Sequence, residues 1–324
     1  MSVTLNHESS GTNVLAQVAR LAQVSSGTVS RVFNNSALIP LETRARVMNA
    51  CRQLGFRPRV GLRRKQIALV TEPPYKSVIG GYVSSMMQFI SYGLAMEEAG
   101  ISIITEERLT NLQDSWYDGI IGIAWEEQTV DILRAMQNLP IVWFSHNYAD
   151  FFNVLYTDCR KTGRMVGEYL RDKGHRRIAV IHDPDYSGLE RAAGVEEMLA
   201  GLKGASVLRI SGDLPLHLGV KQLLDQGCTA VWVTGVDMKV IEVSWLIQEL
   251  AGKKIPEDIS LIGFENPGIS EFQRPSLTTV SSPLAAMAAK AVEVVLNREN
   301  FGDKRCCIEF EETLIERQSV RELK

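Results

Sequence analysis

The larger, C-terminal part of the chain alternates short β-rich runs with amphipathic segments, and this alternation constrains the fold more than any other feature. The run Ile-Ala-Leu-Val-Thr-Glu at 67–72 is followed by a helical segment over 81–100 and a second β-rich run at 101–106. Further β-rich runs occur at 118–125, 141–145, 177–182, 207–210, 229–234 and 260–265. Strands that alternate with helices form parallel sheets covered on both faces. The sequence therefore predicts an α/β fold with two doubly wound parallel sheets.

Length and composition place this α/β part in a chain of more than one domain. A chain of 324 residues exceeds one ordinary core, so two or three domains are expected. Neither a run of about 18 apolar residues nor an apolar leader occurs, which predicts a cytoplasmic protein. The five cysteines are scattered and form no CxxC pair, so neither a disulfide framework nor a metal site is expected. No cofactor is expected either.

Charge is divided unevenly along the chain. Residues 1–66 contain ten Lys or Arg and two acidic residues, whereas the remaining residues contain 25 basic and 36 acidic ones. A basic end on an acidic body is typical of a protein that binds a polyanion at one end. The alternative is an Arg-rich helical surface that is simply solvated.

This basic end has the pattern of three short helices. Apolar residues at helical spacing predict a first helix over 14–21 and, after a brief turn and a capping Ser25, a second over 26–33. Pro40 opens a third helix, which Gly55 ends. Two short helices across a tight turn, braced by a third, form a helix-turn-helix, whose second helix fits the major groove of DNA. A three-helix module used for protein docking is the alternative.

The second helix carries small polar side chains and one arginine. Ser and Thr let a helix approach the phosphates closely, and Arg31 has the reach and planar fork to bind a guanine edge. Gly27 supplies no side chain, so base discrimination is expected to depend on Arg31, supported by Thr28 and Ser26. The residues of this helix and its flanks that are expected to contact DNA are Ser25, Ser26, Gly27, Thr28, Ser30, Arg31 and Asn34.

The stretch VARLAQVSSGTVSRVFNN over 18–35, followed by Thr43-Arg44 and GFRP at 55–58, resembles the lactose-repressor/galactose-repressor (LacI/GalR) family of bacterial transcription regulators. Landmarks similar to those of the family continue in family order at 118–121, 174–181, 255–266 and 275–280. The resemblance implies a DNA-binding head joined to a two-lobed effector domain built like the periplasmic sugar-binding receptors. It places the domains at 1–58 and 67–324, with chain crossings between lobes near 156–158, 280–283 and 312–315.

The linker between these domains, 59–66, is shorter than the family pattern. In the family this segment folds into a hinge helix that inserts a Leu into the minor groove, and Leu62 is the candidate wedge here. A plain basic tether is the alternative, with Arg59, Arg63, Arg64 and Lys65 on phosphates. The linker residues expected to contact DNA are Arg59, Leu62, Arg63 and Arg64.

Candidate effector contacts are residues at the carboxyl ends of the predicted strands. By resemblance Arg191 grips the ligand, with Asp237 and Glu265 as acidic partners, and Tyr75, Tyr82 or Trp125 can stack on a sugar face. The alternatives are a surface arginine at a helix start for Arg191 and a turn-capping carboxylate for Glu265. Leu214 stands where the family often has an aromatic ring, so the effector is an unusual carbohydrate or another ligand, or the cleft responds to none.

Together these features predict a sequence-specific DNA-binding transcription regulator, a repressor that acts as a homodimer on double-stranded operator DNA and is controlled by a small-molecule effector. A nucleoid association follows from DNA binding. A small-molecule receptor with weak or lost DNA binding is the alternative. An enzyme on a doubly wound fold requires a catalytic constellation, and no GxxxxGK[ST], HExxH or GxSxG motif occurs. His182-Asp183 is interpreted as a ligand contact or a loop pair, not a catalytic dyad.

Overall fold

The computed structural model describes residues 10–33, 39–54, 56, 65–73, 80–110, 112, 117–125, 127–136, 139–235, 238–297 and 305–323. It contains a three-helix head and two six-stranded sheets in which all strand pairs but one are parallel. The predicted α/β class with two doubly wound sheets is confirmed. No helix in the described part of the chain is both long and apolar enough to cross a membrane.

The head consists of α1 (Ser10–Leu21), α2 (Ser26–Phe33) and α3 (Leu41–Gln53). Its core is small: Val18, Val29, Val47 and Cys51 are fully buried. Helix α1 begins four residues before the predicted start, whereas α2 and α3 begin where the capping Ser25 and the helix-opening Pro40 predict. Leu21, the last residue of α1, and Leu54, which follows α3, are 47% and 39% exposed.

The turn between α1 and α2 is tight. Gln23 has φ +56°, in the left-handed region where glycine is the usual residue. Its neighbour Val24 donates its N–H to the carbonyl of Ala19 at 2.9 Å, which closes the turn. Ser25 then caps α2, because its Oγ accepts a hydrogen bond of 3.0 Å from the N–H of Thr28. This geometry sets the entry angle of α2.

The first sheet has the strand order β11-β5-β4-β3-β1-β2, and every pair in it is parallel. Its strands are β1 (Gln66–Thr71), β2 (Gly100–Thr105), β3 (Gly119–Ile123), β4 (Ile141–Trp143), β5 (Asn153–Thr157) and β11 (Cys307–Phe310). One face packs on α4 (Tyr82–Met96) and α10 (Leu284–Leu296), and the other includes α5 (Glu127–Arg134). The sheet is thus covered on both faces, as its nearly continuous apolar strands require.

The second sheet has the order β12-β10-β9-β8-β6-β7, with β12 antiparallel to β10. Its strands are β6 (Arg177–His182), β7 (Ser206–Ser211), β8 (Ala230–Val233), β9 (Ser260–Phe264), β10 (Thr278–Ser281) and β12 (Thr313–Ile315). One face packs on α6 (Cys159–Asp172) and α7 (Tyr186–Leu199). The other packs on α8 (Leu216–Asp225) and α9 (Lys239–Trp245), which continues as a π-helical turn over Leu246–Leu250.

The chain passes from one sheet to the other at three places. The first lies at 158, between β5 of the first sheet and α6 of the second. The second lies at 282–283, between β10 and α10, and the third at 311–312, between β11 and β12. Each sheet is therefore assembled from segments that are distant in sequence, and the three passages are the covalent links between the two lobes.

His175 fastens the C-terminal segment to the second lobe. It is fully buried in the corner between α6 and β6, with Nε2 3.2 Å from the carbonyl oxygen of Arg321 and Nδ1 2.9 Å from Oγ1 of Thr229. Because a carbonyl can only accept, Nε2 carries the proton and the neutral Nδ1 accepts from the threonine hydroxyl. Burial lowers the pKa of His175 from 6.5 to about 4.

This environment predicts a pH-dependent loss of stability. Between pH 6.5 and about 4 the unfolded chain protonates this imidazole while the folded chain does not, so the free energy of unfolding falls as the pH falls through this window. The contribution is on the order of 3 kcal/mol. Urea unfolding at pH 7 and pH 4.5 should show a smaller drop for His175→Gln than for the wild type. Equal drops would contradict the assignment.

Candidate functional site

A cavity of about 740 Å³ lies between the two lobes. Its walls come from the carboxyl ends of β4, β5, β6 and β8, from the first turns of α6 and α7, and from all three passages. In parallel sheets ligands bind at this edge, because the strand ends open there and helices begin there. Six aromatic side chains are among its lining residues: Tyr82, Trp125, Phe144, Tyr148, Tyr156 and Tyr186.

Arg191 is a buried basic group on the cavity wall. It lies in the second turn of α7, which begins at Tyr186 because Asp185 caps it by accepting a 2.8 Å hydrogen bond from the N–H of Gly188. Its residue is 8% exposed, and its guanidinium carbon lies 4.5 Å from the ring centroid of Phe264. The alternative of a surface arginine at a helix start is therefore wrong, since Arg191 is buried and lies five residues after the start of its helix.

Close packing of α6 against α7 fixes this position. A Cβ added at Gly163 of α6 would lie 2.1 Å from the carbonyl oxygen of Arg191, and one at Gly194 of α7 would lie 2.3 Å from that of Arg160. Because each glycine faces the backbone of the other helix, the two helices approach more closely than any larger residue permits. The backbone of Arg191 is held by this contact.

The polar contacts of the Arg191 guanidinium are few. Nη1 donates to the carbonyl oxygen of Thr234 at 3.3 Å, and Nη2 lies 3.6 Å from Oε1 of Glu312. The Nε atom is buried and has no hydrogen-bond partner in the described part of the chain. Burial lowers the pKa of this group, but the Cys159 thiol and the Glu312 carboxylate outweigh it, so the pKa is raised and the charge is retained.

Glu312 is a site residue that the sequence analysis did not assign. Its side chain is 1% exposed and lines the cavity from the third passage. The carboxylate accepts hydrogen bonds of 2.5 Å from Oγ1 of Thr162 and from Oγ of Ser282. Glu312 was hard to recognise from the sequence, because it follows Glu311 after a strand with exposed positions. Glu312 is buried only because the chain passes between the lobes at this point.

An aromatic pair stands on the wall formed by the first lobe. Trp125 follows β3, and its ring centroid lies 6.2 Å from that of Tyr82 at the start of α4. Burial, and then the charge of Glu312, raises the pKa of Tyr82 above its usual value of 10, so its hydroxyl is neutral and can donate. Trp125 is 47% exposed, so one face of the indole is available to a ligand.

Glu265 is not on the cavity wall, which corrects the sequence-based expectation. Its carboxylate forms a bidentate pair with Arg317, with Nη1–Oε2 and Nη2–Oε1 distances of 2.9 and 3.0 Å, and it also accepts from Thr279. The pair fastens β9 to the segment after β12. Tyr75 and Asp237 lie outside the described residues. Of the six candidate effector contacts, Arg191, Tyr82 and Trp125 line the cavity.

The His182-Asp183 pair does not have the geometry of a catalytic dyad. Nδ1 of His182 lies 2.8 Å from the backbone oxygen of Asp183, whereas the carboxylate of Asp183 is paired with Lys239. No group of three or more His, Cys, Asp or Glu side chains able to hold a metal occurs within the described ranges.

Helix α2 of the head presents a polar face. Ser25, Ser26, Gly27, Ser30 and Arg31 are exposed, and Thr28 is partly exposed. Val29 and Val32 point inward and are 0% and 8% exposed. The candidate DNA contacts of this helix thus share its outer face. Asn34 and the linker residues Arg59, Leu62, Arg63 and Arg64 lie outside the described residues.

The placement of Glu265 predicts a structural role for it. Glu265→Gln leaves the Arg317 guanidinium without its charge partner in a site where the two side chains are 13% and 18% exposed. We expect a loss of unfolding free energy on the order of 2–3 kcal/mol, with unchanged ligand affinity, measured by urea unfolding and ligand titration. Asp225→Asn, which breaks an exposed pair with Lys221, is the control and should leave stability unchanged. If Glu265→Gln loses ligand affinity, Glu265 contacts the ligand and its assignment to a structural role is wrong.

Comparison with known proteins supports both parts of this architecture. The model of the lacI family of bacterial regulatory proteins matches residues 14–59, and the periplasmic binding protein-like domain matches 168–320. Among curated relatives, the HTH-type transcriptional repressor PurR of Proteus mirabilis is 28% identical over 334 aligned positions, covering 94% of this chain and 96% of that protein. PurR of Escherichia coli O1:K1 is 29% identical, with the same coverage of both chains.

Solved structures share the fold along nearly the whole chain. A complex of the transcriptional regulator CelR with cellobiose has a TM-score of 0.67 at 24% identity and covers 94% of this chain and 99% of its own. The lac repressor dimer bound to operator and the anti-inducer ONPF has a TM-score of 0.68 at 21% identity and covers 94% and 98%. With the head, the two lobes and the cleft arranged as described, the chain belongs to the lactose-repressor/galactose-repressor family of bacterial transcription regulators.

Proposed function

We propose that the chain is a sequence-specific DNA-binding repressor whose operator affinity is controlled by a small molecule bound between its lobes. The observation that carries this proposal is the union of two surfaces in one chain: an exposed Ser/Thr/Arg face on the second helix of a helix-turn-helix, and a cavity of about 740 Å³ with a buried arginine on its wall. The first surface suits the major groove, and the second suits a polar ligand of sugar size.

The DNA-binding end acts through α2. Ser25, Ser26, Thr28 and Ser30 approach the phosphates and base edges, while Arg31 donates two hydrogen bonds to a guanine. The absence of a side chain at Gly27 lets the backbone approach closely; a Cβ there would meet nothing nearer than Oγ of Ser25 at 3.7 Å. Asn34 and the basic linker add phosphate contacts and make the affinity depend on salt.

The regulatory end binds its effector between the lobes. We propose that the guanidinium of Arg191 donates to ligand oxygens, and that Trp125 and Tyr82 stack on an apolar face of the ligand. The CelR structure contains cellobiose, and another relative of the same fold contains ribose, which supports a sugar or sugar derivative as the effector here. Tyr75 and Asp237 are proposed to complete the wall.

The two ends communicate through a homodimer. Helix α4 exposes Phe89, Tyr92 and Met96 on one stripe, and Ile103 on the neighbouring edge strand β2 is 56% exposed. An apolar stripe beside a sheet edge fits a second copy of the chain, in keeping with the dimeric lac repressor described above. Because a ligand shifts an equilibrium only by its differential affinity for two states, the effector is proposed to bind one lobe arrangement better and thereby change the spacing of the two heads.

A receptor that has lost DNA binding is the second candidate considered. The exposed Arg31 and the capped, small-residue face of α2 favour a functional DNA-binding head instead. The curated relatives named above are transcriptional repressors, and the geometry of His182 and Asp183 offers no catalytic pair.

The DNA-binding proposal predicts a palindromic operator. Selection by the full-length protein from a random-sequence duplex library should enrich a motif with two inverted half-sites, because a two-fold dimer presents two α2 helices. Arg31→Ala should weaken binding to that motif by about 5- to 150-fold and relax the preference at one base pair of each half-site. Lys203→Ala, on an exposed loop of the second lobe, is the control and should bind as the wild type does. If the protein enriches no motif, the proposal of a sequence-specific DNA-binding regulator is wrong.

The effector proposal predicts that a substitution of Arg191 removes ligand binding but not DNA binding. A thermal-shift screen of sugars, polyols and nucleosides against the full chain should yield a ligand that raises the unfolding temperature by mass action. Arg191→Ala should abolish that shift and the effect of the ligand on operator binding, yet retain operator affinity without ligand. Parallel loss of both activities would assign Arg191 to folding and not to the ligand.

A further inference from the structure

Glu312 connects all three passages between the lobes. It lies in the third passage, and its carboxylate accepts from Ser282 in the second passage and from Thr162, in the first turn of the helix that follows the first passage. Both hydrogen bonds are 2.5 Å long, and the side chain is 1% exposed. Burying a carboxylate costs free energy, and a nearby positive charge offsets part of that cost.

That charge is Arg191. The distance of 3.6 Å from its Nη2 to Oε1 of Glu312 is short enough for strong Coulomb attraction but too long for a hydrogen bond. The two groups therefore neutralise each other without a hydrogen bond between them. Nη1 of Arg191 donates to Thr234, whereas its buried Nε has no hydrogen-bond partner in the described residues. Both side chains line the cavity, so a ligand meets a donor and an acceptor side by side.

The other cations of the cavity wall are also matched by acids. Arg160 pairs with Glu197 at 2.7 Å and with Glu190 at 3.3 Å, and Arg164 pairs with Glu197 at 3.2 Å. Among the described lining residues, every arginine therefore has a carboxylate partner, and Asp158 and Asp185 add further negative charge at the two helix caps. The described part of this wall therefore presents no arginine without a carboxylate partner to an anionic ligand.

We propose that Glu312 sets the charge class of the effector: by neutralising Arg191 it makes the cleft selective for uncharged or cationic polar ligands and excludes phosphorylated or carboxylated ones. Hydroxyl, amide and amino groups can accept from Arg191, donate to Glu312, or do both. A phosphate or carboxylate bound at Arg191 would lie within a few ångströms of the Glu312 carboxylate, and that repulsion offsets what the arginine gives. The inference rests on the proposed function in one respect, that the cavity is the effector site.

Inorganic phosphate tests the inference without knowledge of the effector. Glu312→Gln keeps the shape of the side chain but removes the charge, so Arg191 becomes an unmatched buried cation. By calorimetric titration of the full chain, we expect phosphate to bind Glu312→Gln at least tenfold more tightly than the wild type. Glu311→Gln, which removes a neighbouring carboxylate that is 75% exposed, should bind as the wild type does. The double variant Arg191→Met with Glu312→Gln should lose the gained affinity. Titrations run at constant ionic strength keep general salt effects equal.

Phosphate titration of the wild type provides a second test, which does not depend on whether Glu312→Gln folds. Wild type and Arg191→Met should respond equally to phosphate, because the wild-type arginine is already matched. Arg191-dependent phosphate binding by the wild type would overturn the proposal, as would equal phosphate affinities of a folded Glu312→Gln and the wild type. A sugar phosphate or sugar acid that raises the unfolding temperature of the wild type but not of Arg191→Met would overturn it as well. None of these titrations includes DNA, so a failure here is distinct from a failure to select an operator.

Discussion

The pairing of one buried guanidinium with one buried carboxylate organises the body of this protein. Arg191 is placed by the glycine-lined contact of α6 with α7, and Glu312 is placed by the third passage of the chain between sheets. Each group alone would be an uncompensated charge in a site of low exposure, which is among the most destabilising features a protein can carry. The ion pair of Arg191 with Glu312 therefore affects the cavity wall, the passages between the lobes and the kind of ligand that can bind.

Much of the fold could be predicted from the sequence, because its parallel strands are buried on both faces and read as continuous apolar runs. Strands such as β1, β6 and β9 are of this kind. Strands β5, β10 and β11 were missed as regular elements. Strands β5 and β10 are only five and four residues long, and β11 at the sheet edge alternates exposed and partly buried residues.

Site residues could be predicted where their own strand or helix places them at the cleft. They could not be predicted where their position depends on contacts between segments that are distant in sequence. Trp125 follows a strand whose carboxyl end faces the cleft, and the resemblance to the family indicated Arg191. Glu265 has the same kind of position, but Arg317, 52 residues away, removes it from the wall. Glu312 becomes a site residue only because residues 150 positions and 30 positions away supply its hydroxyl donors. No local pattern encodes such pairings.

The glycine contact between α6 and α7 also limits how the body can move. Because backbone meets backbone at Gly163 and Gly194, these two helices cannot slide past one another without steric overlap. They therefore move as one rigid body together with the sheet on which they pack. Opening and closing must then take the form of a rotation about an axis through residues 158, 282–283 and 311–312, where a few dihedral angles suffice. Glu312 and its hydroxyl donor Ser282 lie on that axis, and the second donor, Thr162, lies in the first turn of α6 beside it, where such a rotation displaces atoms least.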